Sequence, residues 1–329
     1  MTDLASPGIH GRHGPEDSAW RRQLGSTGLR VYPLAIGGNA FGWTAADDAA
    51  ESILNEYYEA GGNIIDTADS YAAGRSEQII GNWMRTKRNR QDLIVATKIG
   101  KSANHPGLSS SAIGEAIADS LQRLQTDYLD ILFLHVDDKN IPFEETLVAI
   151  DESVRRGWVR HVGVSDHTGN RLIEARVIAA QLGLTPLSAV QCRYSLTHRT
   201  EFEGTLARVA AQQQLGVMPR FALDGGFLAG NYRAKSEINF NSTGNIVLGG
   251  DAHEHLNRRG QRILATLDRI AKEHECAPAT IAIAWLLCKP DVVAPIVGAS
   301  TADQVGALIA AADIVLTRQQ VAALDDVSA

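Results

Sequence analysis

Eight short β-rich runs recur along the 329 residues: LAIG (34–37), NIID (63–66), LIVATK (93–98), LDILFLH (129–135), VRHVGVS (159–165), AVQ (189–191), VMPR (217–220) and APIVG (294–298). Between them lie amphipathic stretches such as DDAAESILNEYYEAGG and FEETLVAIDESVRRG, several closed by a glycine after the last apolar position, as helix C-termini are. Apolar runs alternating with helices predict a parallel sheet with covered faces. Eight such units favour a closed (β/α)8 TIM barrel over an open doubly wound sheet. The glycines at 37, 38 and 42 do not fit G-x-G-x-x-G, and no GxxxxGK[ST] phosphate loop occurs. The interval 220–294 is longer than one repeat needs, so FNSTGNIVLGGDAHEH within it reads as a long loop before the eighth strand, a candidate lid over the barrel mouth. Residues 1–19 read as a flexible arm and 20–329 as one domain.

Composition narrows the function classes. An apolar fraction of 44% suffices for a large core, and a net charge of −7 without any basic, aromatic-interleaved block argues against nucleic acid. The three cysteines, Cys192, Cys276 and Cys288, lack metal-ligand or disulfide-framework spacing. With no apolar signal core and a longest weakly polar segment, APATIAIAWLLC, too short for a bilayer, a cytoplasmic enzyme without membrane attachment is expected. His10, His13, His253 and His255 could be drawn as metal ligands, but loop histidines without companion ligands are usually solvated, so no metal is expected. The expected partner is a small molecule; self-association is not legible.

Barrel chemistry sits at the C-terminal ends of strands. Asp66 ends the second run, Lys98 the third, His135 the fourth, Ser165 the fifth, Gln191 the sixth and Arg220 the seventh. Any one of these could be a strand end meeting water, and a lone His135 would more often be a core histidine bonded to a backbone carbonyl. Together, an acid, a lysine and a histidine on successive strands must converge on one mouth, which Tyr71 can reach from the loop after Asp66. A free tyrosine titrates near ~10 and is a poor donor at neutrality; a nearby ammonium stabilises phenolate, and Lys98 is placed to serve Tyr71. Asp66 can keep Lys98 charged and aimed. His135 can donate to a substrate oxygen. Asp69 reads as a turn residue.

The succession DTADSY, VATK, FLH, GVSDHT, QCRYS and PIVGAS resembles the aldo-keto reductase superfamily, in family order from about residue 22 to the C-terminus. That resemblance implies a catalytic tetrad of Asp66, Tyr71, Lys98 and His135, a hairpin near 21–31 closing the barrel floor, and reduction of an aldehyde or ketone by NAD(P)H. It further implies that Ser165, Asp166 and Gln191 hold the nicotinamide carboxamide, and that Gly298, Ser300, Thr301 and Gln304 hold the adenosine end. NADP(H) is the expected cofactor, with NAD(H) as the alternative, since no Lys or Arg occurs from 290 to 317. Two positions depart from the family pattern. Asp166 replaces an Asn, and a carboxylate cannot donate to the amide oxygen; Arg220 stands where a stacking ring is common, so it could stack, bind the pyrophosphate or bind an acidic substrate. Trp43 and His167 are expected to line the mouth.

Two rival readings stay open at this point. One is a Schiff-base lyase using Lys98, which needs a desolvated lysine of lowered pKa. The other is a non-catalytic NADP(H)-sensing subunit.

Overall fold

A computed structural model describes residues 21–238 and 254–329. The candidate lid, 240–255, lies outside them except for its last two residues, as do His10, His13 and His253.

A two-stranded antiparallel hairpin, β1 (Arg22–Gln23) with β2 (Arg30–Val31), precedes the barrel. Eight parallel strands follow: β3 (Ala35–Gly37), β4 (Ile64–Asp66), β5 (Ile94–Ile99), β6 (Leu129–Leu134), β7 (Val159–Ser165), β8 (Ala189–Arg193), β9 (Gly216–Arg220) and β10 (Ile296–Val297). They pair in the order β10-β3-β4-β5-β6-β7-β8-β9. A parallel bridge between Val217 and Val292 brings β9 to the approach of β10, so the sheet closes into the expected (β/α)8 barrel. Helices lie between successive strands: α1 (Asp47–Glu59), α2 (Arg75–Lys87), α3 (Ser110–Leu124), α4 (Phe143–Arg155), α5 (Gly169–Leu182) and α6 (Thr205–Gln212). The long interval before β10 carries α7 (Arg258–Glu273) and α8 (Pro278–Leu287), and α9 (Ala302–Ile309) and α10 (Arg318–Ser328) complete the chain.

Strand residues alternate between two environments with the period of two that a pleated backbone imposes. Ile64, Ile94, Ala96, Ile131, Phe133, Ala189 and Met218 pack with Leu24 and Val31 of the hairpin into an interior cluster, whereas Ile65, Val95, Leu132, Val164, Val190 and Val217 belong to the larger cluster beneath the helices. The hairpin therefore plugs the floor with apolar side chains. Gly163 has a packing role: a Cβ there would come within 2.4 Å of the Phe133 ring that fills the barrel. Among the described residues no helix is long and apolar enough to cross a membrane.

Candidate active site

The same alternation places the site. Continuing the inward positions of each strand, 64 leads to Asp66, 94 and 96 to Lys98, 131 and 133 to His135, 189 to Gln191 and 218 to Arg220. Ser165 pairs with Gln191 across the β7–β8 ladder. Six residues far apart in sequence thus share the C-terminal end of the barrel interior because they share a parity.

Lys98 is fully buried. Its Nζ donates to Asp66 Oδ2 at 2.5 Å and to the Thr67 carbonyl at 2.8 Å, and lies 4.9 Å from the centroid of the Tyr71 ring. Burial alone would pull the ammonium pKa down, but the charge and hydrogen bonding of Asp66, together with Tyr71, outweigh it and raise the pKa above the ordinary lysine value. Asp66 is itself shared: its Oδ1 accepts Gln191 Nε2 at 2.6 Å. A carboxylate can only accept here, so the amide nitrogen must face Asp66. Among the described residues that orientation leaves Gln191 Oε1 buried without a partner, beside the equally unpartnered Ser165 Oγ.

His135 is buried edge to face against Tyr71, with ring centroids 6.1 Å apart. Burial, then the charges of Lys98, Lys101 and Arg220, push its pKa down to about 2, so the imidazole is neutral at any working pH. Among the described residues its Nδ1 has no hydrogen-bond partner, unlike a core histidine bonded to a carbonyl.

Tyr71 sits on a strained turn. Ala72 (φ 47°, ψ 42°) and Ala73 (φ 53°, ψ 41°) follow it in succession in the left-handed region, which costs a non-glycine residue roughly 1–2 kcal/mol. Ala72→Gly relieves that strain but loosens the unfolded chain, so a net gain of roughly 0.5–1 kcal/mol in denaturant unfolding is expected. A loss would mean that the alanine side chain is needed there.

Asp69 stands in the turn after β4, as expected, but it is not exposed. It is buried, and among the described residues neither carboxylate oxygen makes a hydrogen bond of good geometry, although the Gly100 and Ser70 backbone lies near enough to hold its pKa down in part. Burial, reinforced by the charge of Glu77, raises its pKa from 3.8 to about 7. With the folded pKa above the unfolded one, stability is full below the unfolded value and falls as pH rises through the folded value, by roughly 4 kcal/mol at most. Asp69→Asn should therefore leave unfolding free energy unchanged near pH ~4 and raise it progressively toward pH ~8. A gap between variant and wild type that does not vary with pH would sink this assignment.

The two departures from the family pattern turn out to be partners. Arg220 Nη2 donates to Asp166 Oδ1 at 2.5 Å, and Asp166 adopts φ +60°. The guanidinium carbon lies 5.0 Å from the Phe221 ring centroid. At the rim of β10, a Cβ on Gly298 would meet Asn39 Oδ1 at 2.9 Å. Ser300 and Thr301 are exposed ahead of α9, whose N-cap, Thr301, makes no side-chain capping bond. Gln304 Oε1 accepts the Ser300 backbone N–H at 2.8 Å, which ties Gln304 to its own turn.

Of the two expected mouth residues, Trp43 is 48% exposed on the loop after β3. His167 is buried, stacked on Phe143 with centroids 6.0 Å apart, and its Nδ1 lies 2.9 Å from the Ser165 carbonyl oxygen, so it braces the end of β7. His255, expected to be solvated, is largely buried against Asp224.

Comparison with known proteins bears on this arrangement. The profile of the aldo/keto reductase family matches residues 33–329. The chain belongs to that family. It is 32% identical, over 99% of its own length and 90% of the other, to a Saccharomyces cerevisiae protein carrying the name of an aryl-alcohol dehydrogenase. It is also 29% identical to a norsolorinic acid reductase of Aspergillus flavus, over 92% of this chain and 79% of that one, and 30% identical to one of Emericella nidulans, over 91% and 79%. The family and these oxidoreductase names support carbonyl reduction in general.

Proposed function

We propose that this chain reduces an aldehyde or ketone to an alcohol with a nicotinamide dinucleotide, Tyr71 acting as general acid. The observation that carries the reading is the buried Lys98–Asp66 pair held beside the Tyr71 ring, with neutral His135 packed against that ring.

The donor set fits the cofactor's carboxamide. Gln191 Oε1 can accept its N–H, and Ser165 Oγ can donate to its oxygen; both are buried and otherwise unpartnered. Asp166, engaged by Arg220, is not needed as the donor that an Asn would have supplied. The exposed Ser300 and Thr301 at the start of α9 offer donors to the adenosine end, and Gly298, where a Cβ would meet Asn39 Oδ1 at 2.9 Å, keeps the approach open. A bound nicotinamide supplies hydride to the carbonyl carbon. Tyr71 gives its proton to the carbonyl oxygen, so the product is a neutral alcohol. The Lys98 ammonium stabilises the phenolate left behind, and neutral His135 donates a hydrogen bond that orients the substrate oxygen.

The geometry speaks against the Schiff-base reading. That chemistry needs a lysine of lowered pKa, and Asp66 drives the pKa of Lys98 upward. The names of the relatives and the half-exposed Trp43 make an aryl aldehyde or aryl ketone the first substrate class to try. The test is cofactor oxidation by the purified protein with NADPH and with NADH across aryl aldehydes, ketones and sugars. Turnover with NADPH preferred is expected. Tight NADPH binding without turnover on any carbonyl would favour the sensing-subunit reading.

A further inference from the structure

Beyond the tetrad, three metal-ligating side chains meet from segments far apart in sequence. His198 follows β8, Asp224 lies in the turn after β9, and His255 precedes α7. His255 Nε2 is 2.7 Å from Asp224 Oδ2, and His198 Nδ1 is 3.5 Å from Asp224 Oδ1. The ligand atoms of all three lie within 4.8 Å of one another. The two imidazoles stand edge to face with centroids 5.2 Å apart.

The carboxylate is built into position. Asp224 is fully buried, adopts φ +48° despite being a non-glycine residue, and accepts Thr197 Oγ1 at 2.7 Å and Arg193 Nη2 at 3.3 Å. We propose that His198, Asp224 and His255 bind a divalent transition metal ion of the zinc type. Two imidazoles and one carboxylate suit zinc or cobalt, whereas calcium and magnesium require oxygen-rich shells.

The dimensions are close to those needed. Bonds of ~2.0–2.2 Å in a tetrahedron place ligand atoms roughly 3.3–3.5 Å apart. The His198–Asp224 separation, to Oδ1, already matches; the His255–Asp224 hydrogen bond, to Oδ2, opens by less than an ångström as the ion replaces the shared proton, which leaves to solvent; and the wider separations, all within 4.8 Å, close as the ion draws both rings onto one carboxylate oxygen. Three protein ligands leave a fourth position for water. Arg193 and Arg259 repel a cation and weaken the site, and the Asp224 charge offsets part of that repulsion. The ion staples the loop after β8, the turn after β9 and the entry to α7.

The test is a titration of untagged, chelator-treated full-length protein with ZnCl2 by calorimetry and with CoCl2 by visible absorption. One equivalent of zinc is expected, with intense tetrahedral cobalt bands. His198→Gln or His255→Gln should weaken it by about 100-fold or more, since even loss of an outer-shell partner costs roughly 10–100-fold. A His10→Gln/His13→Gln variant should retain the equivalent. No uptake by the wild type, or an equivalent that persists in both His198→Gln and His255→Gln, overturns the site and leaves a hydrogen-bonded clasp. Circular dichroism checks each variant's fold; should one unfold, the wild-type cobalt spectrum decides, and the weak bands of the octahedral aquo ion count against the proposal. Neither readout uses carbonyl reduction, so the two readings fail separately.

Discussion

Lys98→Met is expected to lower stability by roughly 3–5 kcal/mol and kcat by about 10²–10⁴-fold. The stability loss arises because Asp66 is buried, and Lys98 Nζ at 2.5 Å is its charged partner. Met fills similar space yet leaves a carboxylate with only the Gln191 amide. Asp66 must then take up a proton or strain the Gln191 bond, which also disturbs the orientation of Oε1. Because the folded pKa of Lys98 is raised, its stabilising contribution is complete at neutral pH and fades only as alkaline pH passes through that raised value. The double variant Asp66→Asn/Lys98→Met removes the stranded charge, so it should recover much of the stability and none of the turnover. Urea unfolding and steady-state kinetics on both variants check this. Wild-type stability in Lys98→Met would mean that the pair is not the buried ion pair described.

Tyr71→Phe isolates the chemistry from the structure. It deletes only the phenolic oxygen, so the ring keeps its edge contact with His135 and its place near Lys98. A loss of about 10²–10⁴-fold in kcat is expected, the size usual for general acid catalysis. Cofactor affinity should stay within about twofold, since no contact of Ser165, Gln191 or the α9 start depends on that oxygen; calorimetric NADPH binding measures it. Equal losses in kcat and cofactor affinity would assign Tyr71 to binding instead.

The barrel, and the convergence of Asp66, Lys98 and His135 on one mouth, were legible because both follow from periodicity. Eight apolar runs gave the strands within a residue or two, and a polar residue two positions beyond an inward-facing one had to point into the same mouth. Gln191 illustrates the limit. Its strand-end position was readable, but its bond to Asp66 crosses the barrel between residues 125 apart, and only closure of the sheet brings them together. Loop geometry carries no period, and there the reading ran out. Asp69 read as a turn residue and is one, but its burial and raised pKa were not legible. The stacking of His167 on Phe143 and its contact with the Ser165 carbonyl were likewise not legible. Asp166 and Arg220 were noted as separate departures, whereas they form an ion pair with one another. His198, Asp224 and His255 come from three different loops, and no sequence spacing links them.

The most direct measurement of the proposed chemistry uses NADPH deuterated at the transferable C4 position with an aryl aldehyde, followed by mass spectrometry of the product. Hydride transfer assisted by Tyr71 predicts an alcohol carrying one deuterium on the former carbonyl carbon, formed by the wild type and nearly abolished in Tyr71→Phe. Product without deuterium, or equal labelled product from Tyr71→Phe, would contradict it.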